Sequence, residues 1–349
     1  MRIRYVVLIA FIITYCTVPL CIRFAKKFKI LDMPNQRKIH KIAVPLLGSL
    51  AIYAGVYISL LFYKNNFAVL LALLFGGTLI MGIGLIEDIR GLSAGFRIFC
   101  HTMIAIMMVI LGFRVSFVPY AFGLWKYPCE ILISLLWIVG LTNAYNYLDG
   151  LDGLAAGSAI LNLLCFAAIL YNNKQYYTLL ITASMLGGCL GFIPYNLRKA
   201  KLFLGDAGST FLGFMLACIG LAGHWAKDNI VKIVIPVLIL GVPIFDMIFT
   251  TIMRIGEGKV KNFMEWLHYS GKDHFHHYLL DLGLQPFGAV VFVYFVNISL
   301  GLNAITLSKN TYFEAFLTLF SSAIMFGFIA FLMIIGRRRS NGWGGYKTN

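Results

Sequence analysis

Charged residues are scarce in this sequence. Only 12% of its 349 residues are charged, whereas soluble domains average about 25%. Hydrophobic residues make up 60%, and the mean hydropathy is +0.83. The sequence also lacks the alternating ten-residue segments of a membrane β-barrel. Repeated apolar runs of about 20 residues therefore predict an all-α, polytopic integral membrane protein.

Paired cysteines and repeats are also absent from the sequence. The seven cysteines lie in or beside apolar runs and form no C-x-x-C pair, which excludes a typical zinc site or disulfide framework. There is no internal repeat, low-complexity segment or domain-sized polar loop. We therefore predict a single transmembrane domain over residues 1–349, ending in a basic cytoplasmic tail at 337–349.

The apolar runs predict about eleven transmembrane helices. Basic residues follow the first run where a signal peptide would have a small-residue cleavage site, so this run is predicted to remain as an uncleaved span. The predicted spans are 3–22, 46–62, 67–86, 97–112, 129–145, 154–171, 176–195, 208–224, 229–253, 286–307 and 312–336.

Lysine and arginine predict the orientation of these spans. Twenty of the 29 basic residues fall in the loops that alternate with the C-terminal tail on one side of the membrane. Positive charge marks the cytoplasmic side, so the N-terminus is predicted outside and the C-terminus in the cytoplasm. Ten of the 14 acidic residues share that side, several of them beside predicted helix ends. That placement indicates a cleft facing the cytoplasm.

Four short segments on the predicted cytoplasmic side carry most of the polar chemistry. They are “GLIEDIRGL” with Glu87 and Asp88, “NAYNYLDGLDGLAAG” with Asn146, Asp149 and Asp152, “PYNLRKAKLFLGDAGSTFLGF” with Asn196, Lys201 and Asp206, and “SGKDHFHHYLL” with Asp273, His274, His276 and His277.

Phosphate handled through a hard cation fits this combination of residue types. Mg²⁺ is commonly held by one or two carboxylates together with substrate phosphates. The glycine-rich turn “GDAGST” predicts free N–H groups at a helix start, where an anion binds favourably. Histidine and lysine at the rim can neutralise the remaining phosphate oxygens. Clustered carboxylates alone would repel phosphate, so the pattern implies a metal ion.

Each segment taken alone has a simpler interpretation. “ED” after a span is usually a solvated helix end, “GDAGS” a capped turn, and “HFHH” a surface loop or an imidazole metal site. The presence of all four on one predicted membrane face favours a functional site. Asp246, inside a span about two turns from Arg254, allows two hypotheses: a structural partner for a buried donor, or a wall of the cleft near a lipid substrate.

In this order and spacing, the four segments resemble the polyprenyl-phosphate N-acetylhexosaminyl-1-phosphate transferase family. The similarity extends from “LDMPNQRKIHKIAVPLLGS” to “DHFHHYLLDLGL”, most of the chain. The resemblance implies ten or eleven helices and a cytoplasmic active site in the inner membrane. It also implies attack by a polyprenyl phosphate oxygen on the β-phosphate of a UDP-sugar, giving polyprenyl diphosphate sugar and UMP. The segment “DHFHHYLL” looks more like the branch that uses UDP-GlcNAc than the branch that uses UDP-MurNAc-pentapeptide.

The resemblance also implies roles for individual residues. Asn146 and Asp206 match the family's Mg²⁺ ligands, with Mn²⁺ as a substitute. The expected nucleotide contacts are Asp149, Gly150, Asp152, Asn196 and Phe203, the last as a stacking face for uracil. The expected contacts to phosphate or lipid are Lys38, His40, Lys201, Asp246 and His277. The expected catalytic set is Glu87, Asp88, Asp206, His274 and His276.

Two positions depart from the family pattern. Glu87 stands where an aspartate is usual, which puts a role there as base or metal-proximal carboxylate in doubt. “VPLLGS” has Gly48-Ser49 where Gly-Gly is common. We expect direct, metal-assisted displacement, with Asp88 orienting or deprotonating the lipid phosphate, because positioning alone contributes about 7–11 kcal/mol.

A transporter is the alternative class, but the polar groups cluster at one face instead of the midplane. The expected partners are a UDP-sugar, polyprenyl phosphate and membrane lipid, with no nucleic acid and with a homodimer as an open option.

Overall fold

The structure is a computed structural model. It describes residues 3–34, 42–61, 67–116, 120–269, 271, 273–309 and 312–343. Lys38 and His40 lie outside the described residues, so their predicted phosphate contacts stay predictions.

The described residues form a predominantly helical chain, as the composition predicts. The helices are α1 Ile3–Lys27, α2 Gly48–Leu61, α3 Phe67–Arg90, α4 Ala94–Ile110, α5 Lys126–Leu148, α6 Leu154–Asn172, α7 Tyr176–Asn196, α8 Gly205–Ala222, α9 Asn229–Ile239, α10 Gly241–Gly256, α11 Phe263–His268, α12 Phe275–Asp281, α13 Pro286–Leu307 and α14 Tyr312–Trp343. A 3₁₀ helix covers Tyr120–Trp125. Two short antiparallel strands, β1 Leu31–Asp32 and β2 Val44–Pro45, pair Leu31 with Pro45 and Asp32 with Val44.

Eight of the described helices are long and apolar enough to cross a membrane: α1, α3, α5, α6, α7, α8, α13 and α14. Helices α9 and α10 pass the same test together but are bent by 78° at their junction. Helices α2 and α4 are apolar but shorter. Each of the eleven predicted segments therefore falls on a described helix or on the bent pair. The all-α polytopic class is confirmed, while eleven crossings and their orientation stay predictions.

Helix α8 is the central helix of the described structure. All of its residues from Ala207 through Gly220 are buried, and it packs against α2, α3 and α5. Small residues allow this close approach. A Cβ added at Gly84 of α3 would lie 2.3 Å from the Ala207 Cα, and one at Gly213 would lie 2.5 Å from the Leu141 oxygen of α5. The ends of α3 and α5 therefore meet the start of α8.

Helix α10, the second helix of the bent pair, positions the segment around Asp273 next to the end of α5. The Thr250 hydroxyl of α10 donates to the Asp273 carbonyl (3.1 Å) just before α12. At the end of α5, the Tyr147 ring stacks on the His274 ring, with centroids 4.6 Å apart. Residues far apart in sequence thus share one end of the helix bundle.

Candidate functional site

The predicted oxygen donors converge where α3, α5 and α8 meet. We call Glu87, Asp88, Asn146, Asp149 and Asp206 the carboxylate cluster. The Asn146 amide donates to an Asp206 carboxylate oxygen and to the Ser209 hydroxyl (3.1 Å). Asp88 accepts the Asp206 backbone N–H at 2.8 Å. The structure therefore brings Asp88, Asn146 and Asp206 together at one end of the bundle, while the metal ion they are predicted to surround stays a prediction.

The start of α8 is not the open anion site that “GDAGST” predicts. The Asp88 carboxylate accepts the N–H groups of Asp206 (2.8 Å) and Ala207 (3.2 Å), so a protein carboxylate occupies the place expected for a phosphate. Gly205, with φ +72°, lets Asp88 come this close, since a Cβ there would lie 2.5 Å from an Asp88 oxygen. That part of the prediction is wrong, because the chain provides its own anion.

The chemistry of the carboxylate cluster fits a bound divalent cation. Burial, followed by repulsion from Asp206, Asp88, Asp152 and Asp32, raises the pKa of Asp149 to about 8. Among the described residues, no lysine, arginine or histidine forms an ion pair with Asp88, Asp149 or Asp206. A cation would relieve this repulsion, and Mg²⁺ prefers carboxylate and amide oxygens such as those of Asp206 and Asn146.

The protein alone does not complete a metal site within the part of the chain that is described. No three histidine, cysteine, aspartate or glutamate side chains there are arranged to hold an ion. One amide and one carboxylate are consistent with Mg²⁺, which keeps waters and is commonly bound through one or two carboxylates plus substrate phosphates.

Glu87 has a basic partner that sequence reasoning missed. Its carboxylate pairs with the Arg97 guanidinium at the start of α4, while the second Glu87 oxygen is buried and makes no hydrogen bond to a described residue. Arg97 is the only positive charge that the structure places on an acid of the carboxylate cluster among the described residues. An arginine at the head of an apolar segment, nine residues after Asp88, was the available signal.

The predicted nucleotide residues fix two neighbouring loops. Asp152 accepts the Ala200 N–H at 2.9 Å, and buried Asn196 accepts the Gly153 N–H and donates to the Leu202 carbonyl, both at 3.1 Å. The loop after α5 and the loop before α8 are thus tied together. Lys201 is exposed and Phe203 is half-buried in the second loop. Direct contact of any of these side chains with a nucleotide stays a prediction.

Buried charges anchor the segment from Asp273 to His277, which we call the histidine segment. Arg254 of α10 donates to both Asp273 carboxylate oxygens at 2.8 Å, and its guanidinium lies over the Tyr269 ring at 4.8 Å. Burial alone would raise the pKa of Asp273, but the hydrogen bonds and charge of Arg254 hold it below its ordinary value. The pair attaches the segment to α10.

Asp246 holds the next residues of the histidine segment. One carboxylate oxygen accepts the Phe275 N–H (2.6 Å), and the other lies 3.3 Å from His274 Nδ1. His274 Nε2 lies 3.4 Å from Arg254 Nη2. Because arginine only donates, Nε2 accepts and the ring proton is on Nδ1, facing Asp246. The geometry favours the first of the two hypotheses for Asp246, a structural partner for buried donors.

His276 links the histidine segment to the loop after α5. A Cβ at Gly150 would lie 2.2 Å from His276 Nε2, so only a glycine leaves room for this ring. Burial, followed by the neighbouring His277, lowers the pKa of His276 to about 3. In this state His276 is neutral at pH 7, and its expected contact with phosphate stays a prediction. Its remaining capacity is hydrogen bonding, and its buried Nδ1 makes no hydrogen bond to any residue that the structure describes.

Comparison with known proteins identifies similar sequences. The sequence profile of the family described as glycosyl transferase family 4 matches residues 70–224. Over 344 residues the chain is 34% identical to a probable undecaprenyl-phosphate N-acetylglucosaminyl 1-phosphate transferase of Bacillus subtilis, covering 94% of this chain and 91% of the relative.

More distant relatives carry similar names. A decaprenyl-phosphate N-acetylglucosaminephosphotransferase of Mycobacterium leprae is 29% identical, with 82% of this chain and 79% of the relative covered. An undecaprenyl-phosphate alpha-N-acetylglucosaminyl 1-phosphate transferase of Escherichia coli K12 is 28% identical, with 78% and 74% covered. The match to the Bacillus subtilis relative covers 94% of the chain, whereas the family profile ends at residue 224, before the histidine segment.

Proposed function

The chain belongs to the polyprenyl-phosphate N-acetylhexosaminyl-1-phosphate transferase family, and from that membership we propose that it transfers GlcNAc-1-phosphate from UDP-GlcNAc to undecaprenyl phosphate. The relatives are named for GlcNAc-1-phosphate transfer to undecaprenyl or decaprenyl phosphate. The observation that carries the proposal is the convergence of Asp88, Asn146 and Asp206 at one end of the bundle, next to the histidine segment.

The proposed reaction is a single displacement at phosphorus. A bond forms between an oxygen of the lipid phosphate and the phosphorus that carries the sugar. The bond from that phosphorus to the bridging oxygen breaks, and this oxygen leaves with UMP. The attacking oxygen is already an anion near neutral pH, so the protein's main task is to position two anionic substrates, which can contribute about 7–11 kcal/mol.

Asn146 and Asp206 are the residues proposed to hold Mg²⁺. When bound, the ion neutralises charge on the diphosphate and on the departing UMP. The half-buried Asn146–Asp206 contact keeps the two ligands adjacent. Arg97 places a positive charge beside the same cluster through Glu87. The loops tied by Asp152 and Asn196 form one wall next to Asp149, where the uridine is proposed to bind.

The histidine segment is proposed to form the opposite wall, at the sugar and diphosphate. Its place is set by Asp246 and by the Arg254–Asp273 pair, and His276 reaches Gly150 across the cleft. We further propose eleven crossings, with the N-terminus outside and the site open to the cytoplasm, where nucleotide sugars are available. The excess of basic residues in the corresponding loops supports this orientation.

The proposal is tested with purified protein in detergent micelles and a panel of UDP-sugars. UMP release is expected with UDP-GlcNAc, and only when both undecaprenyl phosphate and Mg²⁺ are present. UDP-GlcNAc turnover should exceed that of UDP-MurNAc-pentapeptide. Substrate uptake into vesicles without nucleotide release would contradict the enzyme proposal and support the transporter alternative.

A further inference from the structure

The contacts of Asp88 suggest a role that differs from proton transfer. Both carboxylate oxygens accept backbone N–H groups of α8, from Asp206 at 2.8 Å and from Ala207 at 3.2 Å. Helix α8 begins at Gly205, so these are its second and third N–H groups. They are the groups that an N-cap side chain normally satisfies.

The sequence of α8 cannot supply such a cap locally. Leu204 occupies the N-cap position, has helical backbone angles (φ −62°, ψ −42°) and makes no side-chain cap hydrogen bond. Asp88 therefore caps α8 from α3, 118 residues earlier in the chain. The close contact of Gly84 with Ala207 one turn before Asp88 fixes the distance between the two helices.

The cap acts on the residue that the proposed function makes a metal ligand. Asp206 donates its N–H to Asp88 while its carboxylate meets Asn146, so the backbone that carries this carboxylate is held by Asp88. We infer that Asp88 is a positioning residue, which caps α8 and thereby sets the direction of the Asp206 carboxylate, and that it does not act as the base for the lipid phosphate. This inference rests on the proposed metal role of Asp206.

Because space around Asp88 is limited, two substitutions can distinguish a positioning role from a role as base. A Cβ on Gly205 would lie 2.5 Å from one Asp88 oxygen, so a side chain one methylene longer has little room. Asp88→Glu keeps a carboxylate that could accept a proton but disturbs the cap. Asp88→Asn removes the base but keeps one oxygen that can accept an N–H. A positioning role therefore predicts more activity in Asn than in Glu, and a base predicts the reverse.

The decisive measurement is Mn²⁺ binding by electron paramagnetic resonance on substrate-free protein, together with the pH–rate profile of UMP release. Replacing a cap residue by alanine costs about 0.5–2 kcal/mol, so Asp88→Ala is expected to weaken Mn²⁺ binding about 2- to 30-fold, and Asp88→Asn by less. Added metal should restore most of its turnover, and its pH profile should keep the shape of the original protein. Asp88→Ala should bind metal more weakly than Asp88→Asn.

Asp228→Asn is the matched control. Asp228 is the local N-cap of α9, where one carboxylate oxygen accepts the N–H groups of Ile230 and Val231, and it follows the end of α8 that is opposite the carboxylate cluster. Its variant should retain both metal affinity and turnover. Full metal affinity in Asp88→Asn with turnover lost at every pH would overturn the inference. Absence of UMP release by the unaltered protein would refute the proposed function alone, since the metal titration needs no substrate.

Discussion

The two walls proposed for the cleft hold their acidic side chains differently. The carboxylate cluster has four, Glu87, Asp88, Asp149 and Asp206, and the wall around the histidine segment has two, Asp246 and Asp273. In the carboxylate cluster, Asp88 is bound to backbone N–H groups and Asp206 to the Asn146 amide. In the wall around the histidine segment, Asp273 is paired with Arg254, and Asp246 lies beside His274 and accepts a backbone N–H.

The difference shows in the pKa values of residues outside the spans. Burial and neighbouring acids raise the pKa of Asp149 to about 8, whereas Arg254 outweighs burial and holds the pKa of Asp273 below its ordinary value. One wall contains negative charge that an external cation would neutralise. In the other wall, groups of the protein itself neutralise the acids. We call this second wall the scaffold wall. The first wall is therefore expected to determine catalysis, and the second to determine stability and the position of the histidines.

Removing the proposed metal ligand should have the largest effect. Asp206→Ala is expected to lower the rate of UMP release by about 10²- to 10³-fold, the size of effect seen when a key electrostatic group is removed from an active site. Mn²⁺ binding should fall with it, while the unfolding transition in micelles changes little, since relief of repulsion among the acids offsets the lost contact. Near-normal turnover in this variant would contradict the assignment of Asp206 as a metal ligand.

Substitutions in the scaffold wall should act mainly on the free energy of unfolding. Arg254→Ala leaves Asp273 buried without its partner, which typically costs about 3–5 kcal/mol. The free energy of unfolding, measured by SDS titration in mixed micelles, should fall by that amount. The double variant Arg254→Met/Asp273→Leu should recover most of it, because a buried pair can be replaced by apolar groups at little cost.

The exposed pair Lys259–Glu257 provides a matched control for this measurement. Its side chains are 30% and 32% exposed, so Lys259→Ala should cost less than about 1 kcal/mol. Equal losses for the buried and the exposed pair would contradict the view of the histidine segment as a charge-anchored scaffold.

Contact between the walls can be tested at Gly150. The backbone at Gly150 does not have a positive φ, so alanine is conformationally allowed there, and the three described atoms nearest to an added Cβ all belong to His276, at 2.2–3.0 Å. Gly150→Ala should cost about 1–3 kcal/mol of stability by overpacking and should raise KM more than it lowers kcat. Adding His276→Ser should recover the stability. Gly82→Ala, where a Cβ meets nothing within 4 Å, is the control.

Much of this arrangement is predictable from the sequence because hydropathy and charge are local signals. Apolar runs mark the helices, and the order of the four polar segments indicates that they share a site. The register in which the helices meet is not a local property. Leu204 at the N-cap of α8 gives no hint that Asp88 caps this helix, and “GDAGST” read by itself predicts an open anion site.

Side-chain pairs between distant helices cannot be predicted from the sequence for the same reason. Arg97 and Glu87 lie on different helices, and no spacing rule connects them. Arg254 and Asp246 were visible as unusual charges in an apolar helix, but the bridge between them is His274, 20 residues after Arg254. Their contacts depend on where the segment that follows α10 packs, and the sequence of α10 does not indicate this.

The smallest expected effect is the loss of folding stability at acid pH that comes from His276 in the scaffold wall. It is also the most sensitive test of the difference between the two walls. Burial lowers the pKa of His276 to about 3 from an ordinary value near 6.5, so the unfolded chain takes up a proton that the folded protein excludes. Stability from this source is full above pH 6.5 and is lost as the pH falls from there toward 3. Between pH 7.5 and 5.5 the loss should be about 1.4 kcal/mol, and it should be absent in His276→Asn. The difference between the two proteins in SDS titrations at these two pH values isolates His276 from every other titrating group. An identical pH response in both would mean that His276 is already open to protons, and hence that the wall facing Gly150 is looser than its packing shows.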